Sequence, residues 1–515
     1  MKQNELADVT DDLADADLGH VRRTKRLVKI VKSVQKAPWL PIPRVCESAA
    51  DCEAAYRFLE SDDVATEAII APHRKKTAER AARLDVVIVA HDTTTVCVGG
   101  GARPGLGVVD PTDGVGFYLH NSCCFALDGE PLGVQRMYAW IRTEAVAGKR
   151  SQSESQYDPD SEAERWHDAV HEVDDAIRQV GDFGRLAPSP LIIHVMDREA
   201  DSLRLLCDMQ EHGRCFVVRA SHNRRLEPGR HKAKTMLFEA VSSTDVRCTH
   251  SMQVVRRMSK VQKGSSTTVS GAKGVRPRKF VHKWTETRNA NFEVRAMTTR
   301  IYPGNGQHAQ VPKDGLVINI VHAQEVNAPE GVEPVCWYLL TDQSIDTPED
   351  LCFVIHSYGL RWLIEEYHNA VKTGCQLEMH RFRHGNQFIR MLCIVVPIAV
   401  QMLRLRWFDR ERPEADATQV LEQEHIDVLQ AHQEKQGKKL PVQPTVRQVM
   451  LVIARLGGHL KHNGPPGWQV LYRGLAALEM LVEGYRLCRD MALAQQQAGV
   501  ATAGKRTTNP RSQHG

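Results

Sequence analysis

The sequence predicts an α/β protein: a stranded core carrying a β-rich insertion, flanked by helical regions at both ends. Three observations predict it. Short β-branched runs, Leu84–Asp92 (LDVVIVAHD) and Leu191–Met196 (LIIHVM), are separated by a helix-like stretch. From about Asn223 to Glu333 the composition turns to Thr, Val, Ser, Lys and Arg with little helical period. The first 75 or so residues and those after Thr347 read as helical. A chain of 515 residues is too long for one ordinary domain. The divisions expected are 1–75, 76–410 and 411–515.

In the first region, Leu18–Val34 (LGHVRRTKRLVKIVKSV) places Leu18, Val21, Leu27, Ile30, Val31 and Val34 near one side. Arg22, Arg23, Lys25, Arg26, Lys29 and Lys32 spread over the rest, and Pro38 and Pro41 stop the helix. A second helix is expected at Ala49–Leu59. Two readings fit: a solvated amphipathic helix, or a small DNA-binding bundle with its cations against phosphates.

The core begins with the strand that ends at Asp92. Phe117–Leu127 and Leu132–Trp140 are further strands, joined by a turn at 128–131 (DGEP). Ala147–Asp160 is a polar loop, and Ser161–Val180 a helix. Strand 191–196 ends at Asp197, Arg198–Glu211 is a helix closed by Gly213, and Cys215–Arg219 is the next strand. Within the insertion, Arg256–Lys283 gathers nine Lys and Arg around a Gly/Ser/Thr loop, which suits either a solvated loop or phosphate contact.

Thr347 is an N-cap candidate with Pro348 at the first helical position. Arg410–Leu440 reads as a charged, mobile linker. A last helical unit covers Thr445 to about Gln497, and Ala498–Gly515 reads as a disordered tail. There Val446, Val449, Met450 and Ile453 suit either a dimer contact or a core.

Composition bounds the function. Hydrophobic residues make up 42% and charged residues 25%, as in soluble globular proteins. The net charge is only +4, but the cations are clustered. No apolar signal segment is visible at the start. The most apolar run, Met391–Leu403, is about 13 residues long, too short to span a bilayer. Thirteen cysteines without CxxC spacing argue against a zinc site or disulfide framework. The expectation is buried, reduced thiols in a cytoplasmic protein with no membrane partner.

Two acids, Asp92 and Asp197, sit at strand ends, where side chains can project into a cleft. A third, Glu365, lies on YGLRWLIEEYHNAVK (358–372). On one continuous helix, Tyr358, Arg361, Glu365 and Lys372 fall within roughly 60° of one another. That stripe joins a carboxylate to groups that grip phosphate. Three converging carboxylates repel, and divalent cations would relieve the repulsion. Two such ions roughly 4 Å apart can drive phosphoryl transfer. Each acid has a plainer reading as well: Asp92 as a turn residue or cap, Asp197 as an N-cap, Glu365 as half of an ion pair with Arg361.

HDTTT (91–95), MDREAD (196–201) and the Tyr-Arg-Glu-Lys spacing at 358–372 resemble the DDE transposases of the insertion-sequence-four family, particularly the Tn-five type. EAAYRFL (53–59), CWYLLT (336–341), ARLGGHL (454–460) and GWQVLYRGLAAL (467–478) extend the resemblance from about residue 18 to 485. It implies an RNase H-like catalytic core with a β-rich insertion. Asp92, Asp197 and Glu365 would be the catalytic, metal-binding triad for two Mg2+ ions, with Mn2+ as a substitute. Tyr358, Arg361 and Lys372 would hold DNA phosphates, Trp337 would stack on a flipped base, and Arg219 would lie near that base. From its strand context alone, Trp337 reads as a core residue. His91 lies outside the pattern and reads as structural, and Asn369 stands where the Tn-five type has a second lysine.

The implied activity is cut-and-paste transposition: binding terminal inverted repeats of double-stranded DNA, pairing them as a homodimer, cleaving through a hairpin, and joining to target DNA. The alternatives left open are an immobile RNase H-like nuclease and a non-catalytic DNA-binding regulator.

Overall fold

The computed structural model describes the chain except residues 1–8, 102, 111–113, 143–163, 183–188, 228–234, 263–279, 304–311, 313, 330–331, 461–463 and 505–515. The expected polar loop at 147–160 and the centre of the basic loop lie outside the described residues.

Four helices open the structure: α1 (Val21–Lys36), α2 (Ile42–Val45), α3 (Ala49–Glu60) and α4 (Thr66–Ala81). His20 caps α1, accepting from the Arg22 N–H, and Leu27, Ile30, Val31 and Val34 form its buried face. Val21, expected on that face, is exposed.

Next come β1 (Val86–Cys97), β2 (Gly107–Asp110), β3 (Gly114–Ala126) and β4 (Pro131–Trp140). Helix α5 (Glu164–Asp182) leads to β5 (Leu191–Met196), and α6 (Leu203–Glu211) leads to β6 (Cys215–Arg219). The structure breaks the helix expected at 198–211: Arg198–Ala200 is a single 3₁₀ turn, and α6 starts afresh at Leu203. β1 also continues five residues beyond Asp92, because Thr93–Cys97 keep pairing with β3.

β3 is antiparallel to both β1 and β4, while β5 runs parallel to both β1 and β6. The order β4-β3-β1-β5-β6 is that of an RNase H-like core. The β-rich insertion follows: α7 (Leu237–Ser242), β7 (Cys248–Gln262), β8 (Phe280–Ile301), β9 (Leu316–Val326), then β10 (Cys336–Thr341). β10 pairs with both β6 and β9, so one ten-stranded sheet runs through core and insertion alike.

The remainder is helical: α8 (Pro348–Gly359), α9 (Trp362–Asn369), α10 (Gly385–Glu411), α11 (Gln423–Lys435), α12 (Val446–Leu456) and α13 (Trp468–Gly504). Thr347 and Asp350 close a capping box on α8, with Pro348 in its first turn. Helix α10 exceeds the apolar run seen in the sequence. By length and composition it could cross a membrane, but 83% of its apolar window is buried in the protein, as suits a core helix. The stretch 410–440 is not a free linker: it holds the end of α10, a 3₁₀ turn and α11, with Ala417, Val420, Ile426 and Leu429 buried. Val446, Val449, Met450 and Ile453 are core residues of this chain, which removes the dimer-contact reading for them. The expected tail is helical as far as Gly504. All thirteen cysteines are free, but only Cys123, Cys124, Cys375 and Cys393 are buried.

The glycines of ARLGGHL and GWQVLYRGLAAL have a packing role. A Cβ on Gly474 would lie 1.8 Å from the Ile453 carbonyl oxygen, and one on Gly457 would lie 2.1 Å from that of Val470. Helices α12 and α13 therefore meet backbone to backbone. Gly474→Ala should cost about 3 kcal/mol by forcing them apart. Gly484→Ala, with open space around it, should be neutral or stabilising by up to ~1 kcal/mol. Denaturant unfolding of the two variants checks the contrast.

Candidate active site

The parallel pairing of β1 and β5 matches Ala90 with Val195. Two residues further on each strand stand Asp92 and Asp197, at the same level on neighbouring strands. Asp92 is still in β1, opposite Asn121 of β3. Asp197 has just left β5, and its Oδ1 accepts the Glu199 N–H at 2.9 Å, capping the 3₁₀ turn. The capping reading of Asp197 and its place beside Asp92 therefore hold together.

The segment carrying Glu365 departs from the continuous helix expected. Helix α8 ends at Gly359, and Leu360 and Arg361 form a tight turn, with the Arg361 N–H donating to the Tyr358 carbonyl at 3.0 Å. Helix α9 then runs to Asn369, and Ala370–Gly374 widens into a π turn, a feature frequent at functional sites. The stripe is thus split in three, yet its members still gather around Asp92.

Arg361 lies at the centre. Its guanidinium pairs with Glu365 and comes within 4.0 Å of Asp92 Oδ1. Burial would lower its pKa, but Tyr358, Glu365, Asp92 and Asp197 together raise it, so the charge is permanent. Burial pushes the Asp197 carboxyl up, and repulsion from Asp92 and Glu365 adds to this. Burial acts the same way on Asp92, but His368 and Arg361 overcome it and hold that carboxyl below its usual value. His368 Nδ1 is 3.5 Å from Asp92 Oδ2, while Asn121 Nδ2 donates to His368 Nε2 at 3.0 Å, fixing the tautomer that turns N–H toward Asp92.

Lys372 Nζ donates to Thr94 Oγ1 at 2.6 Å, two residues from Asp92, and burial lowers its pKa. Tyr358 is buried edge-on against Trp337, with ring centroids 5.1 Å apart. Trp337, half-buried in β10, stacks on Phe292 at 5.5 Å. Arg219, at the end of β6, donates to the Cys336 carbonyl at 3.2 Å and interacts with Tyr358. The structure thus gathers Asp92, Asp197, Glu365, Tyr358, Arg361, Lys372, Trp337 and Arg219 into one region. It does not draw the three acids into a single cage: among the described residues, the set with donor atoms all within 4.8 Å is His171, Asp208 and His212. Asn369 is exposed, one turn beyond Glu365.

Two residues of this region escaped the sequence reading. One is His368, whose only signal was its place three residues after Glu365. The other is Asp201, by position an acid in the first turn of the helix expected at 198–211. Instead its Oδ2 accepts the N–H groups of Ser221 at 2.6 Å and His222 at 2.9 Å, and its Oδ1 pairs with Arg224 at 2.6 Å. It ties the turn after Asp197 to the chain leaving β6. His91, by contrast, is structural: fully buried, it bonds His194 and Ser122.

At the other end of the chain, Arg22, Lys25, Lys29 and Lys32 form an exposed row on α1 with helical spacing. Lys29 bonds Asp51 at 2.7 Å.

Residues 8–64 match the transposase DNA-binding family. The matched segment holds α1, α2 and α3, so the basic row belongs to a transposase-type DNA-binding region. Among solved structures, the piggyBac transposase synaptic complex with hairpin DNA, determined by cryo-EM, is similar at 10% identity and a TM-score of 0.30. The similarity covers 82% of this chain and 59% of that one.

Asp201 gives a pH-dependent prediction. Burial would raise its carboxyl, but His222, Arg224 and two backbone N–H groups hold it at about 2, against 3.8 ordinarily. A depressed folded pKa contributes stability that is full above the unfolded value and is lost as pH falls through the folded one. The size is about 2 kcal/mol, roughly half of it gone by pH 3. Asp201→Asn should therefore destabilise most above pH ~5 and progressively less toward pH 3. Chemical denaturation of both proteins across that range checks the narrowing gap.

Proposed function

We propose that this protein is a cut-and-paste DNA transposase of the DDE type, similar to the insertion-sequence-four family. The observation that carries the reading is the grouping of Asp92 and Asp197, level with each other on neighbouring parallel strands, with Glu365 of a later helix, beside Arg361 and Tyr358. It occurs in a chain whose residues 8–64 match a transposase DNA-binding family.

The donor set suits magnesium: three carboxylates from separate elements, all hard oxygen ligands. Asp92 and Asp197 stand ready as neighbours, whereas Glu365 is engaged by Arg361 and must turn from it to join them. Bound magnesium would supply Lewis-acid polarisation of a phosphate and activation of water or a 3′-hydroxyl. The chain's own groups do the rest. Arg361 and Lys372 offer cations to the phosphates on either side of Asp92, and Tyr358 adds a phenol. Trp337 offers an aromatic surface for a base leaving the duplex, worth on the order of 1–3 kcal/mol, with Arg219 beside it. These groups suit hairpin cleavage at paired transposon ends, within a dimer, in a bacterial cytoplasm.

Glu365→Ala should abolish cleavage of inverted-repeat DNA in magnesium while leaving end binding intact. Gel analysis of nicked and hairpin products, beside a binding assay, checks this; continued nicking would remove Glu365 from the triad. On α1, Arg22, Lys25 and Lys32 lie exposed for phosphate contact. Replacing all three by alanine should weaken DNA binding. It should also flatten the slope of log affinity against log salt by about 2.7, at ~0.9 per contact. A titration over several salt concentrations measures that slope.

A further inference from the structure

Away from the acids, helices α5 and α6 bring three imidazoles around one carboxylate. His167 and His171 stand one turn apart on α5, and Asp208 stands one turn before His212, the residue at the C-cap of α6. His171 Nε2 is 2.7 Å from Asp208 Oδ2. His167 Nδ1 lies 3.4 Å from the same oxygen, and His212 Nδ1 lies 3.3 Å from Asp208 Oδ1. The His171 and His212 rings meet edge to face, with centroids 4.9 Å apart. The donor atoms of His171, Asp208 and His212 all lie within 4.8 Å of one another.

We propose that His171, Asp208 and His212, with His167 as a fourth ligand, form a zinc site that clamps α5 to α6. A tetrahedral zinc ion with bonds near 2.0–2.1 Å holds its donors ~3.3 Å apart, close to two of the three separations found. Two or three imidazoles with a single carboxylate select zinc, or cobalt and nickel in its place, over magnesium. Access is graded: His167 is buried, His171 and Asp208 are half-buried, and His212 is exposed, so an ion can enter from solvent and be enclosed. His212 Nδ1 also lies 2.9 Å from the Asp208 carbonyl, a hydrogen bond that the ion would replace. The consequence reaches the other site. Helix α6 begins two residues after the turn that Asp197 caps, so fixing α6 against α5 steadies that turn.

The test uses the full-length protein dialysed free of metal, then loaded with zinc or cobalt in millimolar magnesium. Glu365→Ala serves as background, so that binding at the acids is told apart. The expected result is one tightly bound zinc per chain in both proteins and a rise in Tm. Cobalt should give the strong visible absorption of a tetrahedral site. His171→Ala and, separately, His212→Ala should weaken zinc binding on the order of 100-fold or more. Binding should weaken as pH falls, because protons compete with the ion for the imidazole nitrogens. Because His212 is exposed, its variant keeps the test informative should His171→Ala fail to fold. Zinc stoichiometry and affinity unchanged in His212→Ala, or no zinc retained by the parent protein, would overturn the proposal.

Discussion

The parallel register of β1 with β5 is the constraint on which the rest of this structure turns. It places two carboxylates side by side on neighbouring strands, partly out of water, where each raises the free energy of ionising the other. A fold can keep such a pair only by supplying positive charge nearby. Arg361 does so from the turn between α8 and α9, and His368 turns an N–H toward Asp92 from the next turn of α9. The break at 360–361 has a physical reason in this light. The turn carries the guanidinium in toward Asp92 while α9 continues outward and leaves Glu365 exposed.

Support for the pair lies on both faces of the sheet. Because side chains alternate along a strand, His91 points away from Asp92. It meets His194 of β5 at 2.9 Å, and His194 in turn lies 3.5 Å from Asp174 of α5. Burial lowers the pKa of both histidines, keeping them uncharged in a layer that could not hold further cations. A buried polar chain thus links β1, β5 and α5 on one face, while Asp201 ties the Asp197 turn to the exit of β6. The strands and the turn that carry the acids are thus held by polar contacts to several separate elements.

How much of this could be read from the sequence depends on the range of the forces involved. The strands that carry the acids were legible because β-branched runs are local signals, and Thr347-Pro348 was legible as a helix start for the same reason. The helix break had one local marker, Gly359, but a single glycine in a good helical pattern does not by itself end a helix. The π turn at 370–374 had no marker before Gly374, and tertiary demands on Arg361 and Lys372 override the pattern. Asp201 looked local because its partners lie about 20 residues away, across β6. The stretch 410–440 looked like a linker because α11 is charged on its outer side, with a buried row of only a few residues. In the last helical unit, Val446, Val449, Met450 and Ile453 show a common ambiguity. An apolar face states that something covers it, and only the fold shows that the cover is the chain itself.

Trp337 joins the two readings that its sequence context set against each other. It packs as a core residue would, stacked on Phe292 and met edge-on by Tyr358. Those same contacts fix the ring, so that ordering it for a ligand would cost little side-chain entropy. Phe292 stacks on the ring, Tyr358 meets it at a steep angle, and the indole is half-buried. Tyr358 touches Trp337 and also interacts with Arg361 and Arg219, so the aromatic pair adjoins the charge that balances the acids. Trp337 is therefore held from two directions, by Phe292 and by Tyr358, and the second of these joins it to the charged centre at Arg361.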